Sequence, residues 1–265
     1  MRKKTNKDEQ KDFPVPTGRV IARFSCGAAS AVATKLALEK YGDAVDIYYN
    51  DTGSEHPDNK RFLHDCENWF GQSITTLKSE KFSNIYEVFE ARKFLVSHQG
   101  APCTAALKRI PGEKVWRLGD LEIFGYTADE THRLTRWKRD NTERRIECPL
   151  IDKCLTKDDC FGVLDRVGIQ LPQMYRLGFR NNNCIGCVKA RDSIDYWKRV
   201  RKHFPEQFNR TAALERKLNI TINRVTKDGE RTPIYLDEIE PGDPKGRDPD
   251  IQCGLFCMAE SDQFS

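Results

Sequence analysis

The most informative segment of the chain reads Val20-Ile21-Ala22-Arg23-Phe24-Ser25-Cys26-Gly27-Ala28-Ala29-Ser30. Its first half is apolar and β-prone, its second half consists of small residues, and residues 31–41 then have the pattern of a helix. A strand that enters a helix through such a turn leaves free backbone N–H groups at the positive end of the helix dipole, where phosphate binds well. The segment therefore predicts a phosphate-binding or nucleotide-binding loop, although an ordinary tight turn would use the same small residues.

The rest of the first half alternates between short apolar runs and amphipathic stretches. We predict strands over residues 46–50, 74–77 and 121–125, and helices over residues 62–70, 85–93 and 104–118. This alternation predicts βαβ units, and hence a twisted parallel sheet with helices on both faces. Ligands of such sheets bind beyond the carboxyl ends of the strands. The loops at Ser25, Asp51 and Gly125 should therefore meet in one crevice.

The second half has a different character. Thr156 is placed to cap a helix that has Asp158 and Asp159 in its first turn, and further helices are predicted over residues 193–203 and 205–218. The final forty or so residues are expected to be mostly irregular. We predict a disordered tail (1–17), a nucleotide-binding α/β domain (18–180) and a Cys-rich, mostly helical extension (181–265).

The composition sets broader limits. With 265 residues, 38% of them hydrophobic, the chain can bury the core of one domain or of one domain with a small extension. It has no run of about 18 apolar residues and no apolar region after its charged start, so we expect no membrane association and a cytoplasmic location. A net charge of +4 does not by itself indicate a nucleic-acid-binding protein.

The spacing of the cysteines is the second strong signal. Cys184 and Cys187 form a CxxC pair, and Cys253 and Cys257 form another close pair. Two such pairs are typical of a four-thiolate site for zinc or an iron–sulfur cluster. Cys103 lies at a predicted helix start, where a thiolate is stabilised, and is a further candidate ligand or nucleophile. We expect the remaining isolated cysteines to fill the core, namely Cys66, Cys148, Cys154 and Cys160.

Five motifs in order along the chain resemble those of one family. Ser25 to Ser30 resembles a degenerate S-G-G-x-D-S loop of the adenine nucleotide α-hydrolase-like (PP-loop) superfamily. Asp51-Thr52-Gly53 is similar to the D-T-G segment of phosphoadenosine phosphosulfate reductases. Gly125-Tyr126-Thr127-Ala128-Asp129-Glu130 with Arg133 resembles their G-x-R-x-x-E-S-x-x-R segment. Two further segments are similar to P-L-x-x-W-x-x-x-D and L-Y-x-x-G-x-x-S-I-G-C, namely Pro149-Leu150 with Thr156 and Asp159, and Tyr175 and Gly178 with Ile185-Gly186-Cys187.

The similarity extends over about residues 18–190. Within the family, Cys103-Thr104, Lys108 and the run from Asn181 to Lys189 most resemble a diverged branch found in phages and mobile elements. The resemblance implies a Rossmann-like fold and a reductase-like enzyme of sulfur chemistry. It also implies an adenine nucleotide, either ATP or phosphoadenosine phosphosulfate, and an iron–sulfur cluster, with zinc as the alternative metal.

The resemblance also implies roles for individual residues. Cys253 or Cys103 would be the nucleophile, and Arg133 and Lys108 would offset the charge on the leaving group. Cys184 and Cys187 would bind the cluster together with two of Cys103, Cys253 and Cys257. The nucleotide would contact three segments, namely Ser25, Cys26, Gly27, Ala28, Ala29 and Ser30; Asp51, Thr52 and Gly53; and Gly125, Tyr126 and Glu130.

Three departures from the family pattern leave the reaction open. Cys26 replaces a glycine, Ala29 replaces an aspartate, and Cys253-Gly254-Leu255 is not followed by the histidine of the family's E-C-G-L-H. A reductase would need a thiol reductant. The alternative enzyme uses ATP and a sulfur donor protein to modify a base or the backbone of a nucleic acid.

A non-catalytic alternative is a nucleic-acid-binding protein with a structural zinc site. It rests on the segment from Tyr196 to His203, in which Tyr196 and Trp197 precede five basic residues, counting His203. The aromatic rings could stack on bases while the cations contact phosphates. The same helix could instead bury Trp197 and Val200 in the core and expose its charges to solvent.

Overall fold

The structure is a computed structural model that describes residues 18–97, 100–227, 229–246 and 248. Five parallel strands form one sheet in the order β3-β2-β1-β4-β5, which makes the fold α/β, as predicted. The strands are β1 (Val20–Phe24), β2 (Val45–Asn50), β3 (Thr75–Leu77), β4 (Leu121–Ile123) and β5 (Arg145–Glu147). The chain builds β2 and β3 on one side of β1 and then crosses to the other side for β4. The strand order therefore reverses at β1, the point where ligands of such sheets bind.

Helices cover both faces of this sheet. They are α1 (Ala28–Tyr41), α2 (Asn59–Phe70), α3 (Ile85–Arg92), α4 (Pro102–Thr104), α5 (Ile110–Glu113), α6 (Thr131–Asp140), α7 (Pro149–Asp152), α8 (Lys157–Arg166), α9 (Gln173–Arg176), α10 (Ile194–His203) and α11 (Pro205–Leu218). The strands contribute alternate residues to a core with α1, α2 and α8, in which the rings of Phe24 and Phe62 stack 6.4 Å apart. Thr156 caps α8 by accepting a hydrogen bond from the Asp159 N–H, as predicted.

The opposite face of the sheet is polar at its centre. Arg23 on β1 donates to Glu122 on β4 at 2.7 Å and to the carbonyl of Gly112 in α5. Glu122 also accepts from Arg144 at 3.0 Å, and the Arg144 guanidinium lies 4.1 Å from the centre of the Trp116 ring. These charges are buried, so they are tolerated only as a fully paired set. The network joins the neighbouring strands β1 and β4 through their side chains.

A second core lies beside the sheet. It combines α3 and the segment around Leu107 with the loop around Cys184 and with α10 and α11. Residues before and after position 180 therefore pack in one cluster. Among the described residues, no helix is both long and apolar enough to span a bilayer.

The structure corrects several local predictions. The helix predicted over 104–118 begins at Pro102 and ends at Glu113, and its middle, Ala105–Arg109, is a π-helical turn. The region predicted to be irregular contains an antiparallel hairpin, β6 (Asn223–Lys227) and β7 (Glu230–Ile234). Its strands are rich in charged residues and lack the apolar alternation by which strands are recognised. Cys154 is exposed rather than part of the core, whereas the other three isolated cysteines are buried.

Candidate functional site

A crevice opens at the carboxyl ends of β1, β2 and β4, where the sequence predicts three loops to meet. Most of the predicted site residues in the described ranges line it, namely Ser25, Gly27, Ala29, Ser30, Lys108, Gly125, Tyr126, Glu130, Arg133 and Cys184. Gly125 is essential to this arrangement because a Cβ there would lie 2.7 Å from the Cα of Ser30. The loop after β4 can therefore pack directly against the first turn of α1.

The loop between β1 and α1 is held together by one hydroxyl. The Ser30 Oγ accepts hydrogen bonds from the N–H groups of Ser25 at 3.1 Å and Gly27 at 3.3 Å, and it donates to the Gly27 carbonyl at 2.9 Å. The backbone of Ala28 is hydrogen-bonded to the Tyr175 hydroxyl, and burial raises the pKa of Tyr175 to about 12. The loop is thus preformed, and a phosphate would exchange some of these internal hydrogen bonds for bonds to its own oxygens.

Cys26 is a structural member of this loop. It adopts the left-handed conformation (φ 59°), which explains why a glycine would suit the position. Its side chain is buried, its Sγ lies 3.6 Å from the Asn59 carbonyl, and burial raises the pKa of the thiol well above its usual value. The side chain of Ala28 is likewise buried in the core. Contact of either residue with a ligand would therefore come from the backbone.

The Asp51-Thr52-Gly53 segment directly follows β2. Asp51 pairs with Lys78 at 3.0 Å and accepts from the Gly53 N–H. Gly53 has φ 63°, and a Cβ there would lie 1.9 Å from the Ser83 carbonyl oxygen, so the position admits only glycine. The Thr52 hydroxyl lies 3.0 Å from the Cys184 Sγ. Tyr49 and Asn50 at the end of β2 line the crevice, whereas the predicted Asp51, Thr52 and Gly53 are not among its lining residues.

Basic side chains enter the crevice from three directions. Lys108 comes from the π-helical turn, Arg133 from α6 and Lys157 from α8. Arg133 pairs with Glu130, and its guanidinium lies 4.3 Å from the centre of the Tyr126 ring. These contacts fix its orientation toward the crevice, where a cation would stabilise phosphate or sulfate.

A second, smaller cavity adjoins the crevice and is lined by Cys103, Cys184 and Cys187. Cys184 and Lys108 line both spaces. Cys103 and Lys108 are five residues apart, so in an α-helix their side chains would be about 140° apart around the axis. The wider π-helical turn between them brings both to the same cavity. The structure thus brings together three of the five cysteines predicted as ligands.

Three cysteines line this cavity, but their side chains are not arranged around one point. Within the described ranges, no group of three His, Cys, Asp or Glu side chains is arranged to hold one metal ion. An iron–sulfur cluster would spread its thiolates over several iron atoms, so it would not need the three cysteines to converge on a single point. Cys253 and Cys257, the other predicted ligands, lie outside the described residues.

Sequence reasoning missed several residues of the crevice. Asn50, Glu55, Tyr175 and Asn182 all line it. Burial raises the pKa of the Glu55 carboxyl, and the charge of Lys108 partly offsets this effect. The run Asn181-Asn182-Asn183 beside the CxxC pair could have indicated Asn182, because such amides are common in binding loops. Tyr175 belongs to a segment that resembles the family, but nothing in that segment marked it as a crevice residue. Asn50 and Glu55 carry no local signal, since only the tertiary fold brings them to the crevice.

The proposed stacking of bases on α10 is wrong. Tyr196 and Trp197 are buried in the second core, with 2% and 0% of their surface exposed. The Tyr196 hydroxyl accepts from the Cys187 N–H at 2.8 Å, and the Trp197 indole donates to the Ala190 carbonyl. These rings position the CxxC loop and offer no surface to a base.

Comparison with known proteins adds no family assignment. The sequence matches no protein-family model and no curated protein sequence.

Proposed function

We propose that the protein is a phosphoadenosine phosphosulfate reductase-like enzyme, which binds an adenine nucleotide in the crevice and carries an iron–sulfur cluster in the adjoining cavity. The observation that supports this proposal best is that Cys184 and Lys108 line both spaces. A nucleotide at the start of α1 would lie next to cysteine sulfur atoms.

The phosphate-binding part would be the first turn of α1 with the surrounding cations. The dipole of α1 and its first backbone N–H groups favour an anion at this place. Lys108, Arg133 and Lys157 add positive charge around it. Glu55 and Glu130 are the acidic residues of the crevice, and Glu130 is already paired with Arg133.

The cluster would be bound by Cys103, Cys184 and Cys187, with Cys253 or Cys257 as the fourth ligand. When bound, it would supply an electropositive centre beside the substrate. The chain's own residues support this site, since the Tyr196 hydroxyl fixes the backbone at Cys187 and the Thr52 hydroxyl contacts the Cys184 Sγ. Such supporting contacts orient metal ligands.

In the reductase reaction, a cysteine thiolate outside the cluster, with Cys253 the first candidate, attacks the sulfur atom of phosphoadenosine phosphosulfate. A sulfur–sulfur bond forms while the bond from sulfur to the phosphate oxygen breaks, and adenosine bisphosphate leaves with the electron pair. Lys108 and Arg133 would offset the charge that develops on it. A thiol reductant then attacks the cysteine sulfur, sulfite leaves, and the new disulfide is reduced by a second thiol of the reductant.

We expect adenosine phosphates to stabilise the protein against heat. At one hundred times its dissociation constant a ligand adds about 2.7 kcal/mol, which corresponds to a rise in melting temperature of about 5–10 °C. Gly27→Val should abolish the rise, because a Cβ at this position lies 3.1 Å from the Tyr175 hydroxyl and a larger side chain would displace it. Thermal unfolding with and without the nucleotide measures this.

The matched control is Gly71→Val. Gly71 ends α2 with φ 70° and has no neighbour within 4 Å of a Cβ, so the variant is strained but leaves the crevice intact. It should melt at a lower temperature and keep the full shift. Equal shifts in wild type and Gly27→Val would mean that the loop is a structural turn.

One observation favours the alternative enzyme, which modifies a nucleic acid with ATP and a sulfur donor. Helix α6 carries His132, Arg133, Arg136, Lys138 and Arg139, and its only acidic residue is Asp140. Arg133 lines the crevice, whereas Arg136 and Lys138 are exposed. A polyanion that contacts the exposed cations of α6 could place one unit in the crevice.

An assay of products separates the two enzymes. Reduced protein is incubated with phosphoadenosine phosphosulfate and a dithiol, or with ATP and a nucleic acid. Sulfite that is lost in Cys253→Ser supports the reductase. Pyrophosphate that forms only with nucleic acid, and falls about tenfold in the double variant Arg136→Glu, Lys138→Glu, supports the modifying enzyme. If neither sulfite nor pyrophosphate forms under these conditions, both proposed reactions are contradicted.

A further inference from the structure

A buried network of charged side chains links β1 and β4, the strands that lead into two loops of the crevice. Its centre is Glu122, which has no exposed surface and accepts hydrogen bonds from Arg23 at 2.7 Å and from Arg144 at 3.0 Å. Replacing such a buried ion set with apolar residues of similar volume is often neutral or even stabilising. Stability alone therefore does not explain why these three charges are buried together.

Two members of the network lie just before loops of the crevice. Arg23 on β1 precedes Ser25 of the phosphate-binding loop by two residues, and Glu122 on β4 precedes Gly125 by three. The hydrogen bond between Arg23 and Glu122 therefore fixes the two strands relative to each other close to the point where both loops begin.

The network also contacts the helical segment that follows the π-helical turn. Arg23 donates to the Gly112 carbonyl at 3.3 Å, and Arg144 forms an ion pair with Glu113. Both acceptors lie in α5, which begins directly after the turn Ala105–Arg109. The network thus anchors this segment to the strands of the sheet at the end of the segment that is remote from the cysteine cavity.

The hydrogen bonds within this segment are irregular. The Ile110 N–H donates to the Ala105 carbonyl, five residues back instead of the usual four. Pro111 has no N–H, so it cannot supply the bond that the Leu107 carbonyl would receive in a regular helix. The segment's own bonds therefore leave its register to contacts with the rest of the fold.

We propose that Glu122 is a positioning residue, which together with Arg23 and Arg144 fixes the π-helical turn and so keeps Lys108 directed into the crevice. Without this anchor the turn can relax to a regular α-helix, and a shift of one residue rotates the side chains on one side of the turn by about 100°. Lys108 and Cys103 would then no longer face the same cavity. The proposal rests on the proposed binding of an adenine nucleotide, in which Lys108 supplies positive charge.

The first measurement asks whether the network holds the turn. In the triple variant Arg23→Met, Glu122→Leu, Arg144→Met, apolar groups of similar size replace all three charges, so the protein should remain folded. Amide hydrogen exchange over residues 105–113, followed by mass spectrometry, should become about tenfold faster, because this segment opens more often once its anchor is lost.

The second measurement asks whether the network acts through Lys108. Titration calorimetry should show about tenfold weaker binding of ATP to the triple variant. Lys108→Ala should weaken binding by a similar factor, and adding the triple substitution to Lys108→Ala should cause no further loss. Such non-additivity means that both changes remove the same interaction. A network that only stabilised the fold would lower the melting temperature without this dependence on Lys108.

The control variant is Lys40→Met, Glu147→Leu, which removes an ion pair between α1 and β5. It should change neither the exchange over residues 105–113 nor the affinity for ATP. If the triple variant does not fold, Arg144→Lys replaces it, because a lysine keeps the charge but lacks the planar fork that pairs with two carboxylates. Arg144→Lys should change both measurements in the same direction by about threefold.

The outcomes separate this proposal from the function on which it rests. Unchanged exchange over residues 105–113 would overturn the proposal, because the turn would then persist without the network. Equal weakening of ATP binding with and without Lys108 would also overturn it, since the network would then act on another part of the crevice. If ATP does not bind to the wild-type protein, the proposed function fails, and the exchange measurement alone decides whether the network positions the turn.

Discussion

Replacing Cys184 with serine should lower the iron and acid-labile sulfide content of anaerobically purified protein by about tenfold or more. Cys184 lines the crevice and the cysteine cavity, so its loss would remove a thiolate at the centre of the site. Cys103→Ser should have the same effect, because Cys103 lines the same cavity and would also lose a thiolate ligand. Cys103 lies in α4, which directly precedes the π-helical turn Ala105–Arg109. The measurements are iron and sulfide analysis and the visible absorption spectrum.

Cys160→Ser is the control for this experiment. Cys160 is fully buried like a cluster ligand, but it packs in the core formed by the sheet and α8. Its replacement should reduce stability and leave the iron content unchanged. Colourless wild-type protein with zinc and no sulfide would contradict the cluster. Iron retained in Cys103→Ser would limit the ligands to the two cysteine pairs.

The sheet could be predicted because the sequence pattern of each strand lies within the strand itself. Each of the first strands is a short apolar run, and each is followed by a helix of suitable length, so the parallel arrangement follows from the sequence alone. β5 and the hairpin of β6 and β7 were missed for the opposite reason. Arg145–Glu147 and Glu230–Ile234 have mainly charged or polar side chains, and their pairing partners, not their own composition, make them strands.

The candidate site could be predicted only where a residue type carries its own signal. Small residues after a strand and a CxxC pair can be recognised in the sequence alone. The structure brings Ser25, Ser30 and Cys184, which belong to these two motifs, to one crevice. The π-helical turn that brings Lys108 beside Cys103 has no such signature, since Ala105–Arg109 would form an ordinary helix elsewhere. Asn50 is also inconspicuous in the sequence, because only the folded chain brings the end of β2 to the crevice.

Gly125→Ala should weaken nucleotide binding by at least about tenfold and destabilise the fold by about 1–3 kcal/mol. The added Cβ would lie 2.7 Å from the Cα and 2.8 Å from the N of Ser30, and 2.9 Å from the carbonyl carbon of Ala29. These are backbone atoms of the first turn of α1, so they cannot move aside as a flexible side chain could. The loop after β4 must retreat instead, which carries Tyr126 and Arg133 away from the crevice.

The control for Gly125→Ala is Gly162→Ala in α8. There the nearest atom to the new Cβ is the Nη1 of Arg166 at 3.4 Å, the far end of a flexible side chain. Alanine is preferred to glycine within a helix by about 1 kcal/mol, so this variant should be more stable than the wild type and bind nucleotide equally well. Chemical denaturation and titration with ATP measure both effects. If Gly125→Ala binds nucleotide with wild-type affinity, the added methyl group affects binding at neither position. The close contact between the loop after β4 and α1 would then not be required for nucleotide binding.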